Sequence, residues 1–457
     1  MAEWILEKNE AINQFLWGPY ILALFLFTGL LFTVGTGIFQ LRHIRLWLRY
    51  TFFTLFKKEK KQKGCITQLQ AMSTALAATV GTGNITGVAA ALVTGGPGAV
   101  FWMWISAFLG MMTAYAENVL GILYRYRSKN GTLTGGAMVY MEKGLGVKLF
   151  AILFSLFCIL ASFGMGNMAQ MHSVADTLYT EFGLPPFWTG LLGAVLVAII
   201  ISGGLSRIAR VTERLVPLMV VLFFAGSALC LFRCADKVIP AFRLIFASAF
   251  SLRSAGGGVL GYGISKAMRT GISRGVFSNE AGLGSSVSVH ASSSVKEPVI
   301  QGMWGVFEVF VDTIIVCTIT ALVILTSGVY TPAPNGESVL TGVSLTAAAY
   351  GVGLGKGGSL FISVSIVFFA FATVLGWSCF GERSVEYLLG SRAIPAYKAV
   401  FVAMAALGAW SSMELVWGIS DTFNALMAIP NLLSLLLLSG QVFKETKRFM
   451  NGPHPHL

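Results

Sequence analysis

Residues 78–90 read "ATVGTGNITGVAA" and lie in a stretch, Gly64 to Ala116, that carries no formal charge. Hydropathy there calls for an unbroken membrane helix, yet Gly81, Thr82, Gly83 and Asn84 stand in its middle. Each glycine costs about 1 kcal/mol in a helix interior, so the pattern predicts a break. The spacing also brushes against a dinucleotide-binding loop. That loop needs a preceding strand and a third glycine at position 86; here that position is Thr86, Gly87 comes one place late, and no strand pattern precedes it.

Composition explains why a helix is expected at all. The 457 residues are 55% hydrophobic and 11% charged, against about 25% charged in ordinary soluble domains. Apolar stretches of the ~20 residues that cross a bilayer recur along nearly the whole length. The chain is therefore read as an all-α polytopic membrane protein with no large soluble domain. Its net charge of +12 does not point to nucleic acid, because the longest basic run, "RHIRLWLRYTFFTLFKKEKKQK" (42–63), directly follows the first apolar span. A cytoplasmic loop facing anionic membrane lipids is expected to be basic there. The six cysteines, at 65, 158, 230, 234, 317 and 379, are scattered and suggest no metal cluster. Cys230 and Cys234, four apart on one helix face, read as packed small residues. The start, "MAEWILEKNE", lacks the basic segment and cleavage site of a secretory signal.

Eleven spans are expected, at about 15–40, 67–92, 98–124, 149–176, 187–205, 212–234, 240–268, 299–327, 357–381, 395–411 and 416–441. With the N-terminus outside, 26 of the 32 Lys and Arg residues fall in inside segments (42–63, 125–148, 207–214, 266–296, 383–398 and 444–448), and five fall outside. The positive-inside rule then fixes the orientation: N-terminus extracytoplasmic, C-terminus cytoplasmic, in the plasma (inner) membrane. Residues 269–298 read as a structured inside connection, and 333–356 as a short helix over the external face rather than a twelfth span.

Span seven carries a second glycine-rich stretch, "SAGGGVLGYG" (254–263). It lies five spans after span two, so two five-helix units would run in opposite directions through the bilayer. Glycine-interrupted spans at matching positions in two halves point to an inverted-repeat transporter. The expected organisation is 1–63 for the N-terminus, first span and basic loop, 64–236 and 237–443 for the two repeats with discontinuous first helices, and 444–457 for a tail. Backbone groups freed inside a membrane cannot face lipid. They can line a cavity, where half-helix N–H groups hold a carboxylate and freed carbonyls a cation. Close helix contact is the plainer explanation of either stretch alone.

Polar residues inside the spans extend this reading. Asp312, with Thr313 beside it and Glu308 one turn away, could face Asn84 in an oxygen-rich cation site or merely bond a neighbouring helix. Glu117 is expected to pair with an arginine near the inner surface. Asn167 and Gln170, three apart in span four, could serve a substrate's polar ends or knit helices together. His172, Ser173 and Asp176 raise an intramembrane hydrolase, but adjacent helical residues point about 100° apart, so His172 cannot readily activate Ser173. Thr373 offers a hydroxyl near the break, and Trp377, one turn on, is either packing or a pocket wall.

These residues carry a resemblance. "ATVGTGNITGVAA", "ASFGMGNMAQ", "RTGISRGVFSNEAGLGS", "VDTIIVCTITA" and "AFATVLGWSCFGE", in this order along the chain, resemble the alanine or glycine:cation symporter family, the sodium:alanine symporters, similar in turn to LeuT-type inverted-repeat transporters. The resemblance implies uptake of a small neutral amino acid with Na+ and no further cofactor. It places Thr82 and Gly83 N–H groups on the substrate carboxylate, Gln170 in the pocket, Trp377 as its size limit, and Gly261 and Tyr262 at the other broken segment. It implies one Na+ site from Ala77 and Val80 carbonyls with the Thr373 hydroxyl, and a second involving Asn84 and Asp312. The chain departs from the family at Ala372, where a hydroxyl residue is frequent, at His172, where asparagine is usual, and at Cys379 and Phe380, where two tyrosines are usual.

The expectation is thus a secondary active symporter for alanine or glycine, not an enzyme, working by alternating access. Proton coupling or glutamine preference in the same fold are the alternatives. An ion channel would call for a pore lined by repeated polar rings, and a sensor for a signalling domain; the sequence offers neither.

Overall fold

Thr67 opens span two. In the computed structural model its hydroxyl accepts the Gln70 N–H while the Gln70 side chain accepts the Thr67 N–H, each at 3.2 Å. This reciprocal cap satisfies two donors that a helix N-terminus leaves open. The structure describes residues 2–55, 64–128, 131–250, 260–331, 340–411 and 413–452. From the cap the helix runs over Gln68–Thr79, and Val80 turns out of it at φ −78°, ψ 86°. Gly81 is extended, a single 3-10 turn covers Thr82–Asn84, and helix resumes over Thr86–Gly95. The break falls where the glycines place it.

Nearly all the remaining described chain is helical. Span one is Pro19–Gly35, preceded by a helix over Ala2–Leu16, and span three is Gly98–Tyr124. Spans five and six are Pro186–Ile201 and Gly204–Arg233. Spans nine, ten and eleven contain Gly358–Leu389, Ile394–Gly408 and Met413–Leu437. A helix over Gly342–Leu354 precedes span nine, and an amphipathic one over Ser439–Asn451 follows span eleven. Tyr126–Arg127 and Leu133–Thr134 form a small antiparallel hairpin. Seven helical stretches among the described residues are long and apolar enough to cross a bilayer.

Span two is the axis of the packing. Every residue from Gln70 to Thr79 is buried, whereas spans five and six turn Leu191, Leu192, Leu218 and Val221 outward, as lipid-facing helices do. Small residues make the close approach feasible: a β-carbon on Gly376 of span nine would lie 2.7 Å from that of Ala78.

Two helices depart from regularity where no break is expected. Span four widens to π geometry over Gly164–Met168, between Lys148–Phe163 and Ala169–Phe182. Span eight does so over Phe310–Cys317, between Pro298–Val309 and Thr318–Ser327. Such widened turns free carbonyls and concentrate at functional sites.

The expected end of span seven at 268 needs correction. Gly256, Gly257 and Gly258 lie outside the described residues, but Gly261 and Gly263 belong to a regular helix, Leu260–Asn279. That helix runs 11 residues past the expected boundary at 268 and stops at Asn279. Glu280 then takes a left-handed conformation (φ 55°), and the chain stays irregular until a short helix, Val287–His290. This irregular stretch is buried. The sequence misled because 269–279 is polar; those residues line protein rather than lipid. Lys266, Arg269 and Arg274 consequently join Thr94, Gln14 and Trp17 around a recess of about 400 Å³. They sit at the Thr94 end of span two, not with the loops at its Gln68 end.

Candidate functional site

The break in span two leaves main-chain groups without helical partners. Gly81 N–H turns to Asn84 Oδ1 at 3.0 Å instead of Ala77 O, and Ala77 O accepts the Thr373 hydroxyl at 3.0 Å. The N–H groups of Thr82 and Gly83, and the carbonyl of Val80, have no hydrogen-bond partner among the described residues. Donors and acceptors that a continuous helix would pair therefore lie bare beside one another. Buried backbone groups are nearly always satisfied, so these unpaired groups are an exception.

Side chains from four other elements converge here. Gln170 Oε1, one turn past the widened section of span four, accepts the Thr82 hydroxyl at 3.0 Å, and Gln170 Nε2 donates to Met165 O at 3.1 Å. A β-carbon on Gly81 would come within 2.5 Å of Thr373 Oγ1. On Gly83 it would lie 3.6 Å from the Phe277 ring, and on Gly87 nothing falls within 4 Å, so open space borders this face. Phe277 stacks on Trp417 at 5.1 Å between ring centroids, and the Arg274 guanidinium sits 5.7 Å over Phe277.

Asn84 lies against the second break. Its Nδ2 donates to Asp312 Oδ1 at 2.7 Å, to Asp312 O at 3.1 Å and to Ser278 Oγ at 3.0 Å. The Ser278 and Thr313 hydroxyls each donate to Asp312 Oδ2 at 2.7 Å, and Asn279 Nδ2 donates to Thr313 Oγ1 at 3.1 Å. The widened turn of span eight frees the Asp312 carbonyl for its bond from Asn84. Asp312 thus faces Asn84 as expected, in a cluster of hard oxygen atoms.

Other expectations fare differently. Glu117 pairs with no arginine among the described residues: Glu117 Oε1 accepts the N–H groups of Gly282 (3.1 Å) and Gly284 (2.9 Å) and Nδ2 of Asn431 (2.6 Å). Freed amides of the second break need acceptors, and a buried carboxylate supplies one to several. Asn167 knits helices, donating to Phe401 O at 2.6 Å. Ser173 donates to Ala169 O on its own helix at 2.9 Å, as a packed serine does. Gly261 and Tyr262 stand near the start of the helix Leu260–Asn279. Tyr262 lies 16 helical residues before Ser278, about 24 Å at 1.5 Å per residue. The residues that lead into the second break, Phe277 to Glu280, escaped notice because "VFSNEAGLGS" reads as loop; its signal is a run of small, uncharged residues around one carboxylate.

A family model described as the sodium:alanine symporter family matches residues 2–454. The chain belongs to the sodium:alanine symporter family. This family member is similar to "Sodium/alanine symporter AgcS" of Methanococcus maripaludis, 46% identical over 96% of both chains. It is also similar to "Probable sodium/glutamine symporter GlnT" of Bacillus subtilis, 35% identical over 97% of this chain and 91% of that one. Among solved structures, MhsT in complex with L-phenylalanine superimposes with a TM-score of 0.61 at 14% identity, over 85% of this chain and 93% of that one. This member of the sodium:alanine symporter family therefore has a LeuT-type fold and belongs to a family of membrane transporters.

Proposed function

We propose that this protein imports a small neutral amino acid, alanine or glycine, together with Na+, by alternating access. The observation that carries the proposal is the bare pairing in span two: unpartnered Thr82 and Gly83 N–H groups suit a carboxylate, and the Ala77 and Val80 carbonyls suit a hard cation. Thr373 would complete that first Na+ site. The second would draw on Asn84 and Asp312, with Ser278 and Thr313 turning their hydroxyl oxygens to the ion. Gln170 borders the substrate, and Trp377 limits its length.

In this proposal the units 64–236 and 237–443 are the inverted repeats that rock about the two breaks. The N-terminus is extracytoplasmic, and exposed Arg42, Arg45 and Arg49 face anionic lipid headgroups at the inner surface of the plasma membrane. Moving Lys266, Arg269 and Arg274 to the opposite end leaves the basic excess on the same side.

A second reading, glutamine in place of alanine, draws on the name carried by the Bacillus subtilis relative. The full burial of Trp377 favours the smaller substrates. Proton coupling is the alternative for the ion, with Asp312 as the acceptor. Uptake of labelled alanine, glycine and glutamine into proteoliposomes, with a sodium gradient or a pH gradient imposed separately, tests all three. Accumulation that ignores sodium and follows the pH gradient would overturn the ion assignment.

A further inference from the structure

We propose that Glu280 is the positioning residue for Trp377 and thereby sets the size limit of the substrate pocket. The inference rests on the reading of Trp377 as a pocket wall. The indole Nε1–H of Trp377 donates to Glu280 Oε1 at 2.9 Å, and the Ser285 hydroxyl donates to Glu280 Oε2 at 2.5 Å. Both side chains are buried. One bond at the far edge of an indole fixes both of its rotatable angles, so Glu280 determines which way the ring's face points. On the other flank, Gly166 in the widened turn of span four approaches so closely that a β-carbon there would lie 2.4 Å from the Trp377 side chain. The ring is held between a bond and a notch.

Two unfavourable features meet at Glu280. Its backbone is left-handed (φ 55°), a conformation that costs a residue with a β-carbon about 1–2 kcal/mol. Its carboxylate is buried with no ion pair among the described residues, which is also unfavourable. A glycine would remove the first cost and any apolar residue the second. Strain kept at a single residue argues for a role of its side chain. The Ser285 bond braces the second break, and the Trp377 bond links that segment to the pocket wall. Because Gly282 and Gly284 of the same segment are held by Glu117, the pocket wall is tied to a stretch of chain that is itself anchored to span three.

The test compares alanine with methionine, a longer neutral amino acid, in sodium-gradient uptake by the full-length protein in proteoliposomes. Glu280→Ala is expected to lower the alanine-to-methionine ratio of kcat/KM about tenfold, mainly through the two KM values. Trp377→Phe, which removes the donor, should lower it similarly, and the double variant should go no further than Trp377→Phe alone. Glu280→Gln keeps a carbonyl acceptor and should restore the ratio. If Glu280→Ala inserts poorly, Glu280→Asp, one methylene too short to reach, should still shift it. An unchanged ratio in Glu280→Ala and Glu280→Asp, alongside a shifted one in Trp377→Phe, would overturn the positioning role and leave the pocket standing. An unchanged ratio in Trp377→Phe as well as Trp377→Ala would instead remove Trp377 from the pocket, and the inference with it.

Discussion

A β-carbon at Gly81 would lie 2.5 Å from Thr373 Oγ1 and 3.6 Å from Gln170 Oε1, so two of the side chains that border the break are seated against a missing methyl group. Gly81→Ala should insert normally yet lose most transport, with sodium activation weakened at least about tenfold, since each tenfold corresponds to about 1.4 kcal/mol. Titrating uptake against sodium measures this. Thr373→Ala should produce a similar loss by deleting the hydroxyl, and Thr373→Ser should recover it. Gly83 obeys a different constraint. Its β-carbon position is 3.6 Å from Phe277, an ordinary contact, so Gly83→Ala should retain alanine binding while Gly83→Leu, reaching into the adjoining space, should abolish it with folding preserved. Alanine-dependent thermal stabilisation of each purified variant separates these outcomes. Span two was readable at this scale because its glycines interrupt an uncharged apolar run. Nothing in composition could foretell that Asn84 would turn Nδ2 toward Asp312 and Oδ1 toward Gly81.

Breaks in helices expose groups that some other element must meet, and the two breaks here are met differently. Span two keeps the N–H groups of Thr82 and Gly83 bare among the described residues, whereas the stretch after Asn279 gives those of Gly282 and Gly284 to Glu117, which Asn431 also bonds. Glu117→Leu would strand three buried donors, and at about 1–3 kcal/mol for each unsatisfied group it should sharply lower the unfolding temperature in detergent. Glu117→Gln keeps an acceptor and should lose far less. The same contrast explains what hydropathy could and could not locate. It picks out lipid-facing helices such as Pro186–Ile201, because these must be apolar all along. It ended span seven too early, at 268, because a helix lining a polar recess need not be apolar. Lys266, Arg269 and Arg274 therefore read as loop although they ride on Leu260–Asn279. The widened turn at Phe310–Cys317 carries no proline or glycine that marks it off from ordinary membrane helix, whereas the one at Gly164–Met168 holds Gly164 and Gly166.

The bare groups of span two lie between two recesses. One, of about 400 Å³, opens at the Thr94 end and is lined by Arg269, Ser273 and Arg274; the stacked Phe277–Trp417 rings stand between Arg274 and Gly83. The other, of about 640 Å³, opens at the Gln68 end and is lined by Cys65, Ser206 and Glu382. A channel would join the two at once. Alternating access requires that one widen as the other narrows, and the positions of Ser273 and Cys65 make that measurable. With Cys234, the partly exposed cysteine, replaced by serine, a cysteine introduced by Ser273→Cys should react with a hydrophilic thiol reagent when sodium is present without substrate, and native Cys65 should be protected. Removing sodium should slow the first reaction and speed the second, each by about tenfold if the conformational equilibrium shifts by about 1.4 kcal/mol. Mass spectrometry of the labelled protein reads both positions in one sample. Opposed changes fit a molecule whose two ends never open together, and rates that rise and fall in step would mean that the rings and the second break part at once, as a pore would.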